Sequence, residues 1–267
     1  MSVSSGANAI VSAAIQRAVD AGTEIGVQVA AYYQGKLAID TWGGLADPTT
    51  GRTVDGETLF NVYSVAKAVT ATALHMQVAR GLIEYDAPIA RYWPEYAAHG
   101  KAKTTVRHAL THRAGLPQMP EGVTPERMCD WDWMVRGIAA LKPLAEPGTR
   151  TLYQAMSFGW IIGELVRRTD PRQRSIGRFI REEIAAPLAV GDLWIGIPDS
   201  VESRIARLTN ATPAIPEERP RPQPIYGWDQ SILLVWLNSL LKRISGCSLR
   251  PRDNRAPSNS SAMDMAC

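Results

Sequence analysis

A serine and a lysine one helical turn apart, with a tyrosine much further along, are the residues whose types could do chemistry together. Ser64 and Lys67 stand in Phe60-Asn61-Val62-Tyr63-Ser64-Val65-Ala66-Lys67, and Tyr153 follows 89 residues later in Thr151-Leu152-Tyr153-Gln154-Ala155. A serine hydroxyl is a poor nucleophile until a neighbour takes its proton. Lysine can take it where burial or nearby charge favours the neutral amine. A short apolar stretch runs directly into Ser-x-x-Lys, and the helical run Ala66 to Arg80 follows. That layout puts Ser64 at a helix N-terminus with Lys67 one turn on and on the same face. The pattern occurs twice, since Ser239-Leu240-Leu241-Lys242 also matches. The second copy lies inside a leucine-rich run with no strand-to-helix junction before it, and reads as two polar residues on one face of a tail helix.

The elements that would position Ser64 begin with a helix over Ala7 to Ala21, ended by Gly22. Ile25 to Tyr33 and Leu37 to Trp42 read as strands joined at Gln34-Gly35, a hairpin signal. Gly43-Gly44 and Asp47-Pro48 mark a loop, and Leu59 to Tyr63 is a short extended lead-in to Ser64. Asp86 to about Ala185 reads as helical pieces and turns without a clear strand, punctuated by Pro94, Gly115-Leu116-Pro117 and Pro147-Gly148. Ser157 to Arg168 and Ile176 to Ala185 are its clearest helices. Leu193 to Ile197 reads as extended and Val201 to Leu208 as a short helix. The composition changes near residue 211. Thr212 to Pro224, rich in Pro, Glu and Arg, reads as a linker or disordered stretch. The apolar segment Ser231 to Ile244 follows, and then Gly246 to Cys267 is polar and aperiodic.

Composition bounds the partners. Hydrophobic residues at 45% and charged residues at 21% are globular values that allow a sizeable core. A net charge of +3, without a Lys/Arg stripe interleaved with aromatics, argues against nucleic acid. Cys129, Cys247 and Cys267 are odd in number and far apart, so no disulfide framework or Cys-x-x-Cys metal clip can be read. The start has no charged-then-apolar leader, and no apolar run reaches the ~20 residues of a membrane span. The expectation is a soluble, cytoplasmic protein without a membrane partner.

The neighbours of the serine sharpen the reading. His108-Ala109-Leu110-Thr111-His112-Arg113-Ala114-Gly115-Leu116-Pro117 resembles the Leu-Thr-His-Thr-Ser-Gly-Leu signature of the serine beta-lactamase-related family. That family holds class C beta-lactamases, D-alanyl-D-alanine carboxypeptidases and beta-lactamase-like carboxylesterases. Glu146-Pro147-Gly148 through Tyr153 is similar to its Pro-Gly-x-x-x-x-Tyr stretch, and Tyr153 through Glu164 to its tyrosine motif and the following helix. Pro187-Leu188 and Leu193 to Gly196 also match, so the resemblance covers roughly residues 7 to 208 in the family's order. It implies an α/β (α+β) fold, a beta-lactamase/penicillin-binding-like antiparallel sheet with flanking helices and an inserted all-helical subdomain at about 86–185. The family domain would span 7–210, with 211–267 a linker and an atypical tail. The resemblance further implies that Ser64 is acylated, that Lys67 and Tyr153 share the proton transfers, and that the Ser64 N–H is one oxyanion donor. No cofactor and no metal are implied. The substrate would be a small-molecule ester or a related acyl compound.

Two departures bear on that expectation. The class C lactamases carry Tyr-x-Asn, whose amide helps to hold the lactam side chain; here the third residue is Ala155, which favours esters over lactams. The family's third motif, Lys-Thr-Gly or a His- or Trp-containing variant, is not found after residue 150, where the sequence around Lys242 reads Lys242-Arg243-Ile244-Ser245-Gly246. The expectation is therefore a chain whose C-terminal strands are missing and whose residues from about 225 are not family sequence. It leaves open an acyltransferase, a beta-lactam or D-Ala peptide hydrolase, or an inactive family member that serves as a binding or interaction protein. Other constellations read blandly. His108 and His112 have the i, i+4 spacing of metal ligands but lack an intervening Glu and a third ligand, so a structural or surface role is expected. Ala155-Met156-Ser157-Phe158-Gly159 reads as a helix start rather than a nucleophile elbow. Trp131 and Trp133 are expected to pack in the helical region, and Arg167, Arg168, Arg172 and Arg174 to form a solvated helix end.

Overall fold

The computed structural model describes residues 3–209. The proposed linker, the apolar segment from Ser231, the second Ser-x-x-Lys copy and the polar tail all lie outside the described residues. The described chain combines helices with an antiparallel sheet and forms two compact units, residues 3–61 with 199–209, and residues 62–198.

The first unit is built on a hairpin. Helix α1 (Val3–Asp20) is followed by β1 (Gly26–Tyr33), β2 (Lys36–Asp47) and the short β3 (Arg52–Thr53), in the sheet order β1-β2-β3. Tyr33 pairs with Lys36 across Gln34 and Gly35, whose φ values of 51° and 74° define the expected two-residue turn of the primed type. The structure corrects the loop expected at Gly43-Gly44: β2 runs through both, with Val27 opposite Gly43 and Gly26 opposite Gly44. Two features explain this. Ile15 of α1 packs so closely on Gly43 that a Cβ there would stand 2.9 Å from its Cγ2. Gly44 has φ 83° and approaches the Ile25 carbonyl, which a Cβ would meet at 2.1 Å, so only glycine keeps the strand on course. Asn8 Oδ1 accepts the Asp40 N–H at 2.8 Å and fixes α1 along β2. Ala46, Val54 and Ala206 form the small core here, with Phe60 against it.

The chain returns to this unit through the short helix α8 (Asp199–Glu202). The expected helix over Val201 to Leu208 is confined to Asp199–Glu202, because the residues after it pair instead. The Leu59 N–H donates to Arg204 O at 3.0 Å and the Ala206 N–H to Leu59 O at 2.7 Å, a parallel bridge centred on Leu59 and Ile205. Of the lead-in expected as extended over Leu59 to Tyr63, Leu59 is paired within this unit, whereas Tyr63 already belongs to a 3₁₀ turn.

The regular elements of the second unit are helical. They are α2 (Ala66–Ala79), α3 (Val106–Leu110), α4 (Pro125–Met128), α5 (Trp131–Ala140), α6 (Ser157–Thr169) and α7 (Ile176–Ile180); α8 (Asp199–Glu202) then belongs to the first unit. The single helix expected over Ile176 to Ala185 continues past Ile180 as a π-helical turn, Arg181–Ala185. Leu193 to Ile197, expected as extended, pairs with no strand among the described residues and bends at Ile195 and Gly196. Helix α2 buries Ala66, Thr70, Ala73, Leu74 and Gln77, a stripe at helical spacing, and packs against α6. Helix α6 is buried along ten consecutive residues, Ser157 to Val166, including Trp160, Ile161, Ile162 and Leu165. Burial of each large apolar side chain contributes about 1.5–3 kcal/mol, so the α2–α6 contact is among the firmest parts of the unit. Trp131 is buried as expected and its Nε1 donates to Glu164 Oε2 at 2.8 Å.

The solvated arginine end holds for Arg172, whose side chain is 57% exposed, and is corrected for the other three. Arg167 and Arg168 both bond the fully buried Glu164 carboxylate. Burial pushes Glu164 up, but the hydrogen bonds from Arg167, Arg168 and Trp131 outweigh it and hold the carboxyl below its usual range. Arg174 is 4% exposed and makes a bidentate pair with Asp170, 2% exposed, while its Nη1 reaches Glu182 and Glu183. Four arginines in one charged stretch look like surface from composition alone; here a set of facing carboxylates draws Arg174 inside. Asp170→Ala is expected to lower stability by about 3 kcal/mol, the low end for breaking a buried pair, because Glu182 and Glu183 still reach the guanidinium. Urea unfolding with an unchanged m value would show it.

Candidate active site

Residues 62–198 contain all three sequence-predicted site residues. Ser64 lies in a 3₁₀ turn, Tyr63–Val65, that leads without a break into α2. Tyr63 just before it has φ 47°, a left-handed conformation rare for a bulky residue, which turns the chain sharply into the helix. Ala-rich α2 then holds Lys67 one turn on, on the Ser64 side.

Tyr153 reaches the same point from a different part of the chain, and the structure shows how. Helix α3 is started by Thr105, whose Oγ1 accepts the His108 N–H at 3.1 Å while His108 Nδ1 accepts the Thr105 N–H at 3.3 Å. The residues after α3 pair with the segment 144–154 rung by rung. The Leu144 N–H donates to Gly115 O at 2.9 Å, the Gly148 N–H to Arg113 O at 2.8 Å and the Leu152 N–H to His112 O at 2.8 Å. The Arg113 guanidinium also donates to Gly148 O. Ser157 Oγ at the start of α6 donates to Leu116 O at 2.6 Å. The stretch His108 to Pro117 is thus the backing on which the tyrosine segment is laid. At Gly115 the fit is tight: φ is 76° and a Cβ would stand 2.3 Å from Ala145 O. Gly115→Ala is expected to cost about 2 kcal/mol through strain and that clash, and to lower ester turnover with it because Tyr153 loses its backing. Thermal unfolding and turnover measured on the same sample would check both.

The three side chains converge. Ser64 Oγ accepts from Lys67 Nζ at 2.9 Å and from Tyr153 Oη at 2.8 Å. Lys67 Nζ also donates to Ala155 O at 2.7 Å and stands 5.3 Å from the centroid of the Tyr153 ring. The amine is therefore fixed between the serine oxygen and the tyrosine segment. Tyr153 is 54% exposed, and the exposed apolar side chains Val62 and Val65 flank Ser64 in sequence. Ser64 is exposed to solvent, and two groups able to exchange a proton with its oxygen stand at hydrogen-bond distance.

The two histidines are not arranged as metal ligands. Nδ1 of His108 accepts from Thr105, and Nδ1 of His112 accepts the Gln154 N–H at 3.2 Å. Among the described residues no group of three His, Cys, Asp or Glu side chains is placed to hold a metal ion. Burial, and then the charge of Lys67, hold the His112 imidazole below its ordinary pKa, so it is neutral at pH 7. Its ring lies 4.8 Å from that of Tyr153 and 5.1 Å from that of Phe158, centroid to centroid. Sequence reasoning gave His112 only a structural or surface role. The signal that could have found it is its place in the motif beside the glycine turn.

Comparison with known proteins places the chain in a family. The sequence model of the Beta-lactamase family matches residues 11–266. Esterase/beta-lactamase LipL of Mycobacterium tuberculosis is 35% identical over 184 residues, 68% of this chain and 42% of that protein. A beta-lactamase of Escherichia coli is 33% identical over 183 residues, 68% of this chain and 46% of that protein. The crystal structure of a family VIII carboxylesterase matches with a TM-score of 0.72 at 36% identity, covering 78% of this chain and 57% of that one. The chain spans less than half the length of these two curated relatives. A match of the family model over nearly the whole sequence, together with a fold shared at 36% identity, shows that the chain belongs to the Beta-lactamase family.

Proposed function

We propose that the chain is a serine hydrolase that cleaves small carboxylic esters through an acyl-serine intermediate. The observation that carries this reading is the double contact at Ser64 Oγ, within 3 Å of both Lys67 Nζ and Tyr153 Oη. Ser64 Oγ attacks the ester carbonyl, and its proton passes to whichever of the two partners is unprotonated. The same pair delivers that proton to the leaving alkoxide. Water then enters, gives a proton to the pair, and releases the acid while Ser64 regains its hydrogen. The Ser64 N–H, at the first turn of a helix where amides lack intrahelical acceptors, is one donor to the tetrahedral oxyanion.

Esters are preferred to lactams in this reading because Ala155 offers no side-chain amide. Its backbone carbonyl is already taken by Lys67. A second reading, a catalytically silent family member that binds acyl compounds, draws on the sequence after residue 150, where no Lys-Thr-Gly-like motif supplies a second oxyanion donor. One missing donor lowers kcat by roughly 10²–10³. Hydrolysis of p-nitrophenyl acetate and butyrate beside a chromogenic cephalosporin, with fluorophosphonate labelling of the folded chain, tests both readings. Ester turnover with labelling supports the hydrolase; folded protein that neither labels nor turns over ester refutes it, and a cephalosporin rate above the ester rates refutes the substrate class.

A further inference from the structure

The acyl-serine reading leaves one side chain beside the machinery without a task. His112 accepts the Leu152 N–H through its carbonyl at 2.8 Å and the Gln154 N–H through Nδ1 at 3.2 Å. These are the residues immediately before and after Tyr153. The tyrosine ring itself rests on the imidazole, with Phe158 of α6 also against it. One residue therefore grips the tyrosine from the backbone on both sides and through its ring.

We propose that His112 is the positioning residue for Tyr153: its uncharged imidazole, accepting at Nδ1, holds the phenol at hydrogen-bond distance from Ser64. This inference rests on the acyl-serine reading and deepens it. An Nδ1 that accepts fixes the tautomer with its hydrogen on Nε2. A second proton would turn Nδ1 into a donor facing the Gln154 N–H, so that two donors oppose each other and the bond is lost. It would also set a new positive charge against Lys67. The titratable groups that face the ring are Lys67 from α2 and Tyr153 from the segment ahead of α6, while Phe158 from α6 carries no charge. Burial and Lys67 both disfavour the imidazolium, which places the loss on the acid side of about 6.5, the ordinary histidine value. Above that pH the grip is fully present; it weakens as the pH falls through the lowered value of the folded protein.

The backbone offers a clean substitution. His112 has φ 57°, a conformation that asparagine tolerates well. His112→Asn keeps an acceptor near the Nδ1 position but cannot titrate, and His112→Phe keeps a ring without the acceptor. With p-nitrophenyl butyrate, His112→Phe is expected to lose roughly 100-fold in kcat at little change in KM, the size of effect a displaced catalytic group produces. His112→Asn is expected to recover at least about tenfold of that loss and to lack the acid limb that wild type shows. A second readout needs no turnover. Tyrosine labelled with ¹³C at Cζ, with the Tyr153 signal identified by its absence in Tyr153→Phe, is followed against pH together with the His112 ring proton. The two are expected to move with one shared inflection in wild type, and the Tyr153 signal to lose it in His112→Asn. A Tyr153 signal indifferent to the His112 titration, or wild-type kcat in His112→Phe, overturns the proposal. Absence of any Ser64-dependent turnover in wild type would sink the acyl-serine reading, and the labelled tyrosine would then decide the positioning alone.

Discussion

Ser64→Ala is expected to abolish fluorophosphonate labelling and to lower ester turnover by on the order of 10⁴-fold or more, the scale on which loss of an active-site nucleophile acts. The substitution removes a single oxygen. Ser64 is exposed, and alanine is at home in the first turn of a helix, so stability should stay within about 0.5 kcal/mol of wild type. Lys67 keeps its bond to the Ala155 carbonyl and Tyr153 keeps its contacts with His112, so the rest of the arrangement survives. A collapse in turnover can then be assigned to the missing nucleophile rather than to a lost fold, provided urea unfolding is unchanged. Labelling that persists in Ser64→Ala, or turnover within tenfold of wild type, would remove Ser64 from the mechanism.

The legibility of this molecule in its sequence follows the range of the forces at work. The Ser64–Lys67 pair is a local matter of helical spacing, so it could be read directly. The hairpin at Gln34-Gly35 and the helix from Ser157 were readable for the same reason. The elements that were misread are those in which a distant segment decides. Gly43-Gly44 carries the signal of a loop, yet Ile15 of α1 covers Gly43 and β1 pairs through both residues, so the strand continues. Val201 to Leu208 has helical composition, yet Leu59 offers Arg204 and Ala206 backbone partners, and pairing prevails beyond Glu202. Arg174 looked solvated until Asp170, Glu182 and Glu183 were placed around it. The link from Ser64 to Tyr153 came from the order of motifs resembling a family, because no local spacing carries it. What the sequence did not offer is the reason for that link: the rungs between residues 112–115 and 144–152, and the imidazole beneath the tyrosine.

Lys67→Met and Tyr153→Phe are each expected to lower kcat/KM by roughly 10²–10⁴, the usual contribution of a positioned acid or base. The two variants should differ in stability. Tyr153→Phe keeps the ring on His112 and deletes an exposed hydroxyl, so the fold should lose no more than about 0.5 kcal/mol. Lys67→Met takes the donor from the Ala155 carbonyl, a part-buried bond, and should cost about 1–3 kcal/mol in addition to its kinetic effect. Kinetics must therefore be compared at a denaturant-free temperature well below unfolding. The informative measurement is the double variant. Both groups touch the same oxygen, so if they form one proton-transfer unit, removing the second after the first should cost little more, and the combined loss should stay close to that of the worse single variant. If the losses instead multiply, each group acts on its own step, and the shared proton route is wrong. If either single variant turns over ester at a near-normal rate, that residue is a bystander, and the remaining partner of Ser64 Oγ carries the proton unaided.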